Sequence, residues 1–335
     1  MDLSLDGEVN TTNYDVMTMT SSTIVPGTLK PNHLPVKYNH LKYLIFAFGI
    51  VTFIFGIVGN SLVIYIIAKF SEIRNKSVAN YYIFNLALAD QLFLLAVPFF
   101  MYSSFMGKWI FGNPVCKLMF ILREINKFGS IFTLVALSVD RYLASFHNLG
   151  RLRTLPVGIC VCIVVWIASI AMCSPYIMYS SAVKRTNTDT YSCKIDWPQR
   201  GDLLTHRKIW TYSQLLVGMI IPFLMITLSY ILLLRRLRSI MKPRQSSRIR
   251  KPNRKMTRTV LVVVAIFVVC QMPYHAMEIL NLQKTEEIMN GKKPDTQGPD
   301  FMAFLYVNAL SQILVFISAC CNPILYGILN ENYSE

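Results

Sequence analysis

The chain has 335 residues, 53% of them apolar and 15% charged, against roughly 25% charged in an average soluble domain, and its mean hydropathy is +0.42. Apolar surface beyond what one core hides must face lipid, so a water-soluble protein is excluded. The net charge of +15 does not point to nucleic acid, because the basic residues sit in short loops between apolar runs and not on a solvated domain with groove-reading motifs.

Residues 1–40 are polar and rich in Thr, Asn and Ser, without the apolar core of a cleavable signal. They are expected to form a flexible extracellular tail, with the first span as targeting signal. Asn10-Thr11-Thr12 is a glycosylation sequon within it. Seven stretches then have the length of about 20 apolar residues that a bilayer-crossing helix needs: approximately 41–69, 78–104, 114–146, 155–179, 208–234, 256–282 and 301–329. The expected fold is therefore all-α, one seven-transmembrane helix bundle over 41–329, with 330–335 starting a cytoplasmic C-terminal segment.

Orientation follows from Lys and Arg in short loops. The segment before the sixth span carries Arg235, Arg236, Arg238, Lys242, Arg244, Arg248, Arg250, Lys251, Arg254, Lys255 and Arg258 with no acid among them. Loops one and two agree through Lys69, Arg74 and Lys76, then Arg151 and Arg153. These loops are read as cytoplasmic and the N-terminus as extracellular.

Ionisable groups at membrane depth are costly and mark function. Asp90 stands mid-span with no Lys or Arg within a helical turn. Asn126, Ser130 and Asn322 supply oxygens for a small-cation site around it, or for a hydrogen-bond network about a protonated acid. Asp140-Arg141-Tyr142 ends the third span, where the acid pairs with its neighbour until protonation or a partner releases it. In Asn322-Pro323-Ile324-Leu325-Tyr326, Pro323 removes a helix hydrogen bond and Asn322 is expected to recapture freed polar groups. Pro222 and Pro273 mark further kinks. Cys116 and Cys193 are the two cysteines near the lumenal surface and are expected to pair. The other six read as packing residues.

Taken together, the chain resembles the rhodopsin-like (class A) G-protein-coupled receptors from Tyr43 to Tyr333. The resemblance is carried by Gly59-Asn60, Leu86-Ala87-Leu88-Ala89-Asp90, Cys116, Asp140-Arg141-Tyr142, Trp166, Pro222 with Tyr230, Phe267 with Cys270-Gln271-Met272-Pro273, and Asn322-Pro323-x-x-Tyr326. Trp109-Ile110-Phe111-Gly112, Pro98, Asn126 and Asn322 to Gly327 are similar to the somatostatin, opioid, galanin and melanin-concentrating-hormone receptors. Tyr191 to Pro198 and Arg151-Leu152-Arg153-Thr154 are similar to invertebrate allatostatin-C receptors. The resemblance implies a peptide receptor in the plasma membrane that signals through heterotrimeric, inhibitory G proteins, has no cofactor beyond an allosteric sodium ion at Asp90, Asn126, Ser130 and Asn322, and is not an enzyme. It further implies an activation switch of Ile131, Pro222, Phe267, Gln271, Asn322, Pro323 and Tyr326, and a G-protein contact of Asp140, Arg141, Tyr142 and Tyr230. The chain departs from the family in three places. Arg123 replaces the Asp that grips cationic ligands, Gln271 replaces the usual tryptophan, and Ser318-Ala319 replace an Asn-Ser pair beside the sodium site.

Arg123 lies 18 residues before Arg141, five turns of helix, so both share one face about 27 Å apart. Arg123 thus faces the bundle near its outer mouth, with Lys127 a turn deeper and Glu124 displaced by about 100°. A ligand carboxylate would meet Arg123 bidentately; the other reading neutralises Arg123 and Lys127 internally through Glu124 or Glu278. Tyr274, His275, Glu278, Asn308 and Gln312 complete the expected ligand pocket. An anionic small molecule, a lipid acid or nucleotide, would suit Arg123 and Lys127 equally, and the mixed charges and Trp197 of the second outer loop favour peptide. The basic stretch from Arg235 to Arg258 also fits anionic lipid. HExxH and GxSxG motifs are absent, as are the paired repeats of a transporter.

Overall fold

The computed structural model describes residues 36–70, 77–146, 153–185, 189–197, 203–240, 250–292 and 299–329. The glycosylation position Asn10 lies outside the described residues, as does the side chain of Tyr326. The elements are α1 (Val36–Lys69), α2 (Val78–Met106), α3 (Gly112–Leu143), α4 (Leu155–Met172), the short α5 (Ser174–Tyr179), strands β1 (Ser180–Lys184) and β2 (Tyr191–Ile195), α6 (Leu203–Leu215), a π-helical stretch (Leu216–Ile220), α7 (Ile221–Ile240), α8 (Arg250–Met289) and α9 (Pro299–Leu329). Among the described residues six segments are long and apolar enough to cross a membrane: Tyr43–Lys69, Val78–Met106, Leu155–Met172, Leu204–Arg236, Leu261–Met289 and Asp300–Pro323.

The seventh long helix, α3, has 32 residues and is the exception that explains the rest. It touches α2, α4, α5, the hairpin, the π stretch, α7 and α8, so protein surrounds it and its surface need not be lipid-soluble. Arg123, Glu124, Lys127, Asp140 and Arg141 are accordingly buried on it. The other helices turn large apolar side chains outward, such as Phe55, Leu62, Val164, Ile167, Leu224 and Val269. That is the arrangement of a bundle solvated by lipid.

Helix boundaries differ from the sequence expectation mostly by extension. The sixth helix runs to Met289 and not to Leu282, and the fifth begins at Leu203 and not at Lys208. At about 1.5 Å per residue, the 40 residues of α8 span about 60 Å, twice the hydrocarbon core, so its polar ends lie outside the apolar layer. The fourth span breaks at Cys173, where Pro175 enters a new helical turn, giving α4 and α5 in place of one helix to Tyr179. The all-α bundle expected from the sequence carries in addition one short antiparallel hairpin between the fourth and fifth spans, Ser180↔Ile195 to Lys184↔Tyr191. Trp109 extends it through its amide, which donates to Tyr191 O at 2.8 Å.

Two of the expected kinks have distinct local solutions, while Pro273 lies within the unbroken α8. Pro222 cannot donate to the carbonyl four residues before it, and the helix widens to π geometry over Leu216–Ile220. Pro323 frees the carbonyl of Ala319, and Asn60 Nδ2 donates to that oxygen at 3.0 Å. A Cβ on Gly59 would stand 3.0 Å from Pro323 Cβ, so glycine there permits the approach that brings Asn60 within reach. Asn322, expected to recapture such groups, instead donates to Asp90.

Among the described residues two large apolar cores result, beside a small third cluster of Ile45, Leu305 and Ala309. One packs Ile131, Leu134, Leu137, Ile226, Tyr230 and Phe267 toward the Asp140 end. The other packs Phe93, Phe120, Tyr176, Tyr274 and Phe316 beneath the hairpin.

Candidate functional site

Between the two cores lie buried polar side chains in two groups. The deeper group centres on Asp90: one carboxylate oxygen accepts from Asn126 Nδ2 at 2.7 Å and the other from Asn322 Nδ2 at 2.7 Å. Asn126 also reaches Ser130 Oγ at 3.5 Å. Among the described residues no Lys or Arg lies within ion-pair distance of Asp90. The sequence therefore placed Asp90, Asn126, Ser130 and Asn322 in one site, and that site lacks a protein counter-charge.

The outer group is a charged chamber. Arg123 Nη2 stands 3.2 Å from Glu124 Oε1, and Lys127 pairs with the other oxygen of the same carboxylate. Lys127 also donates to Gln214 Oε1 from α6. Glu124, which helical geometry sets 100° off the face of Arg123, is completely buried and still binds both cations, because the long Arg and Lys side chains bend round the helix to it. Of the two readings left open by the sequence, internal pairing is the arrangement in the structure.

Aromatic rings wall this chamber. The Arg123 guanidinium lies 5.3 Å from the Phe120 ring and 5.9 Å from those of Tyr176 and Tyr274, a geometry in which ring quadrupoles stabilise a cation out of water. Trp210 meets Tyr176 edge-on and donates to its hydroxyl at 3.3 Å. Glu278 of α8, one helical turn beyond Tyr274, is half-buried and lies within electrostatic reach of Arg123, Arg207 and Lys127. His275 is buried beside Tyr274, and Asn308 is buried on α9 while Gln312 is half-buried. Gln214 Nε2 and His275 Nε2 are buried without hydrogen-bond partners among the described residues. Each such atom costs about 1–3 kcal/mol unless something supplies the missing bond.

The hairpin covers this end. Cys193 of β2 is disulfide-bonded to Cys116 at the start of α3, as expected, and Asn113 Oδ1 accepts the Ala182 amide at 3.0 Å. The lid is thereby fixed to the same helix that carries Arg123, Glu124 and Lys127.

At the opposite end Asp140 pairs with Arg141. A second cation, unforeseen as a site residue, completes the arrangement: Arg153 donates to Asp140 through Nε at 2.8 Å and Nη2 at 3.2 Å. The sequence showed Arg153 only as a loop charge, because nothing in its spacing reveals that the chain folds back on Asp140. Tyr142 meets Phe146 edge-on, and Arg236 of α7 lies 4.8 Å above the Phe146 ring. Tyr230 is buried nearby. Of the expected switch residues, Ile131 and Phe267 share the inner core, while Pro222 and Gln271 are buried above it. The inner site is thus a pair of guanidinium groups closing on one carboxylate.

A buried charged helix at the centre of a lipid-facing bundle, a disulfide-fixed lid at one end and an acid held by arginines at the other define a multi-pass membrane protein of the seven-helix receptor type. The model of the 7 transmembrane receptor (rhodopsin family) matches residues 59–326, and the chain belongs to that family. Among curated proteins it is similar to human (Homo sapiens) somatostatin receptor type 3, 35% identical over 292 residues, covering 85% of this chain and 65% of that protein. It is also similar to two receptors of Rattus norvegicus: somatostatin receptor type 4, at 32% over 280 residues and 83% and 67% coverage, and type 5, at 35% over 283 residues and 84% and 72% coverage. The chain spans about two thirds of the length of these relatives.

Proposed function

We propose that the protein is a plasma-membrane receptor for an extracellular peptide, signalling through heterotrimeric G proteins of the inhibitory class. The observation that carries this reading is the hairpin-covered chamber, whose charges of both signs and unpartnered Gln214 and His275 nitrogens lie in a chain about one third identical to somatostatin receptors. A peptide offers the mixed charges and amides such a lining needs.

The orientation proposed is N-terminus outside. Its support is that Arg236, at the start of the acid-free basic stretch, sits at the Asp140 end of the bundle, where the positive-inside rule puts the cytoplasm. Lipid headgroups would meet that stretch from the membrane side. A ligand in the chamber touches α3, α6, α8 and α9 at once. It shifts the receptor toward an open inner end only by the difference in its affinity for the two conformations. Opening requires Arg141 to leave Asp140 and present itself, with Tyr142 and Tyr230, to the G protein.

A sodium ion at Asp90 is part of the proposal. The fit rests on a buried carboxylate with no cationic partner and on the oxygens of Ser130, Asn126 and Asn322 around it. Asp90 would supply the charge and the others neutral oxygen ligands. The test is inhibitory G-protein activation in cells expressing the chain, screened against disulfide-cyclised peptides, somatostatin among them, beside lipid acids and nucleotides. A peptide response supports the reading; a response restricted to an anionic small molecule overturns it. For the ion, replacing sodium by choline should raise agonist affinity in the native protein and leave Asp90→Asn unchanged; equal responses would remove it.

A further inference from the structure

On the inward face of α6, Arg207, Thr211 and Gln214 are all buried, at the i, i+4, i+7 spacing of one helical stripe. Gln214 binds Lys127, so the stripe runs along the charged chamber, with Arg207 about 10 Å nearer its mouth. One guanidinium nitrogen of Arg207 donates to Thr285 Oγ1 of α8 at 2.9 Å. Among the described residues no carboxylate lies within ion-pair distance of it, although its neighbour Lys208 has Glu286 at 2.6 Å. Its remaining nitrogens are not among the buried polar atoms shut off from solvent.

The charge count has a direction. By formal charge, Arg123, Lys127 and Arg207 outnumber Glu124 and Glu278 by one in this part of the bundle, where aromatic rings line the site. Glu124 is already shared by Arg123 and Lys127. A cationic ligand group at Glu278 would sit among three cations. An anionic one at Arg207 would balance the set and find the two-pronged donor geometry that matches a carboxylate.

We infer that Arg207, and not Arg123, is the anchor for an anionic group of the ligand, the carboxylate at a peptide C-terminus, held between the outer ends of α6 and α8. This rests on the peptide-receptor reading and refines it. The buried position of Arg207 beneath the mouth selects a terminal carboxylate that projects into the bundle. Because Arg207 also joins α6 to α8 through Thr285, a ligand carboxylate that draws the guanidinium away acts directly on the contact between the two helices.

The experiment uses the full chain in cells and a panel of disulfide-cyclised peptides, somatostatin included, each synthesised as free acid and as C-terminal amide, with a long-chain fatty acid and its methyl ester as a parallel pair. Potency is measured on the native protein, Arg207→Gln, Arg207→Lys and Thr285→Val at matched surface density. A free acid at least tenfold more potent than its amide on the native protein, with that preference abolished in Arg207→Gln and partly kept in Arg207→Lys, is the expected result. Equal potency of acid and amide, or a preference that survives in Arg207→Gln, overturns the anchor and leaves the peptide reading standing. Loss of the preference in Thr285→Val as complete as in Arg207→Gln also overturns it, since the α6–α8 tether alone would then account for the effect. An Arg207-dependent preference for the fatty acid over its ester, with no peptide active, keeps the anchor and refutes the peptide.

Discussion

Replacing Arg153 by alanine removes two hydrogen bonds, at 2.8 and 3.2 Å, from a carboxylate that is only 4% exposed. A charge-assisted bond to a buried group is worth about 1.5–3 kcal/mol. The Arg153 side chain is itself 26% exposed, so water and salt screen the pair, and a total of about 1–2 kcal/mol is the appropriate discount. If the two bonds exist only while Arg141 is paired with Asp140, their loss shifts the resting equilibrium by about 5- to 30-fold. The expected outcome is a several-fold rise in ligand-independent nucleotide exchange on inhibitory G protein, measured in membranes and divided by receptor number. Arg153→Lys, which keeps the charge but loses the fork, should fall between the native protein and Arg153→Ala. Unchanged basal exchange in Arg153→Ala, while Asp140→Asn raises it in the same membranes, would refute the reasoning and leave Arg153 a bystander.

Two further perturbations follow from the same geometry. Glu124→Gln strands Arg123 and Lys127 without the carboxylate that both contact, and should cost about 3–5 kcal/mol, read as lost surface expression and earlier thermal unfolding. Adding Lys127→Met should recover part of that loss, whereas native-like stability of Glu124→Gln alone would mean that the chamber is solvated enough to carry both cations. Cys116→Ser and Cys193→Ser each open a closure of 77 residues, for which chain entropy assigns on the order of 4.5 kcal/mol. Single and double replacements should be equally unstable, and a double variant worse than either single one would point to a second role for one of the thiols.

What the sequence disclosed depended on which solvent each residue meets. The apolar runs were readable because lipid imposes one rule on every outward side chain, and the ends were not, because beyond the hydrocarbon that rule lapses. Lys208 and Glu286 continue α6 and α8 by pairing with each other at 2.6 Å, and no hydropathy pattern records such a pair. The hairpin was missed for a related reason. Its one inward-facing signal is the alternation of Cys193 and Ile195 within five residues, too short to separate from loop. Asp90, Asn126, Ser130 and Asn322 could be grouped because polar groups at membrane depth must find each other. Arg153 and Arg207 could not, since an arginine near a membrane surface already has an explanation in the positive-inside rule or in solvation, and only the folded chain shows each one turned inward.

The same contrast bears on how the two ends communicate. Asn60 holds the Ala319 carbonyl at 3.0 Å and Asn322 holds Asp90 at 2.7 Å, so near Pro323 amide hydrogen bonds add to the apolar packing of Phe316, Ala319 and Cys320 in tying α9 to α1 and α2. Moving a close-packed apolar helix opens a void and costs several kcal/mol, whereas exchanging one amide partner for another changes the energy by about 1 kcal/mol. On the receptor reading, a layer of that kind, set between two well-packed cores, is where small displacements of α8 and α9 would be passed on at least cost. Arg123 and Arg141 stand on one face of α3 on either side of it, and α3 is fixed above by the Cys116–Cys193 bond and below by Arg153 on Asp140. With α3 held at both ends, a ligand in the outer site would act through the helices around it, and on the proposed reading the inner contact to be released is the carboxylate shared by Arg141 and Arg153.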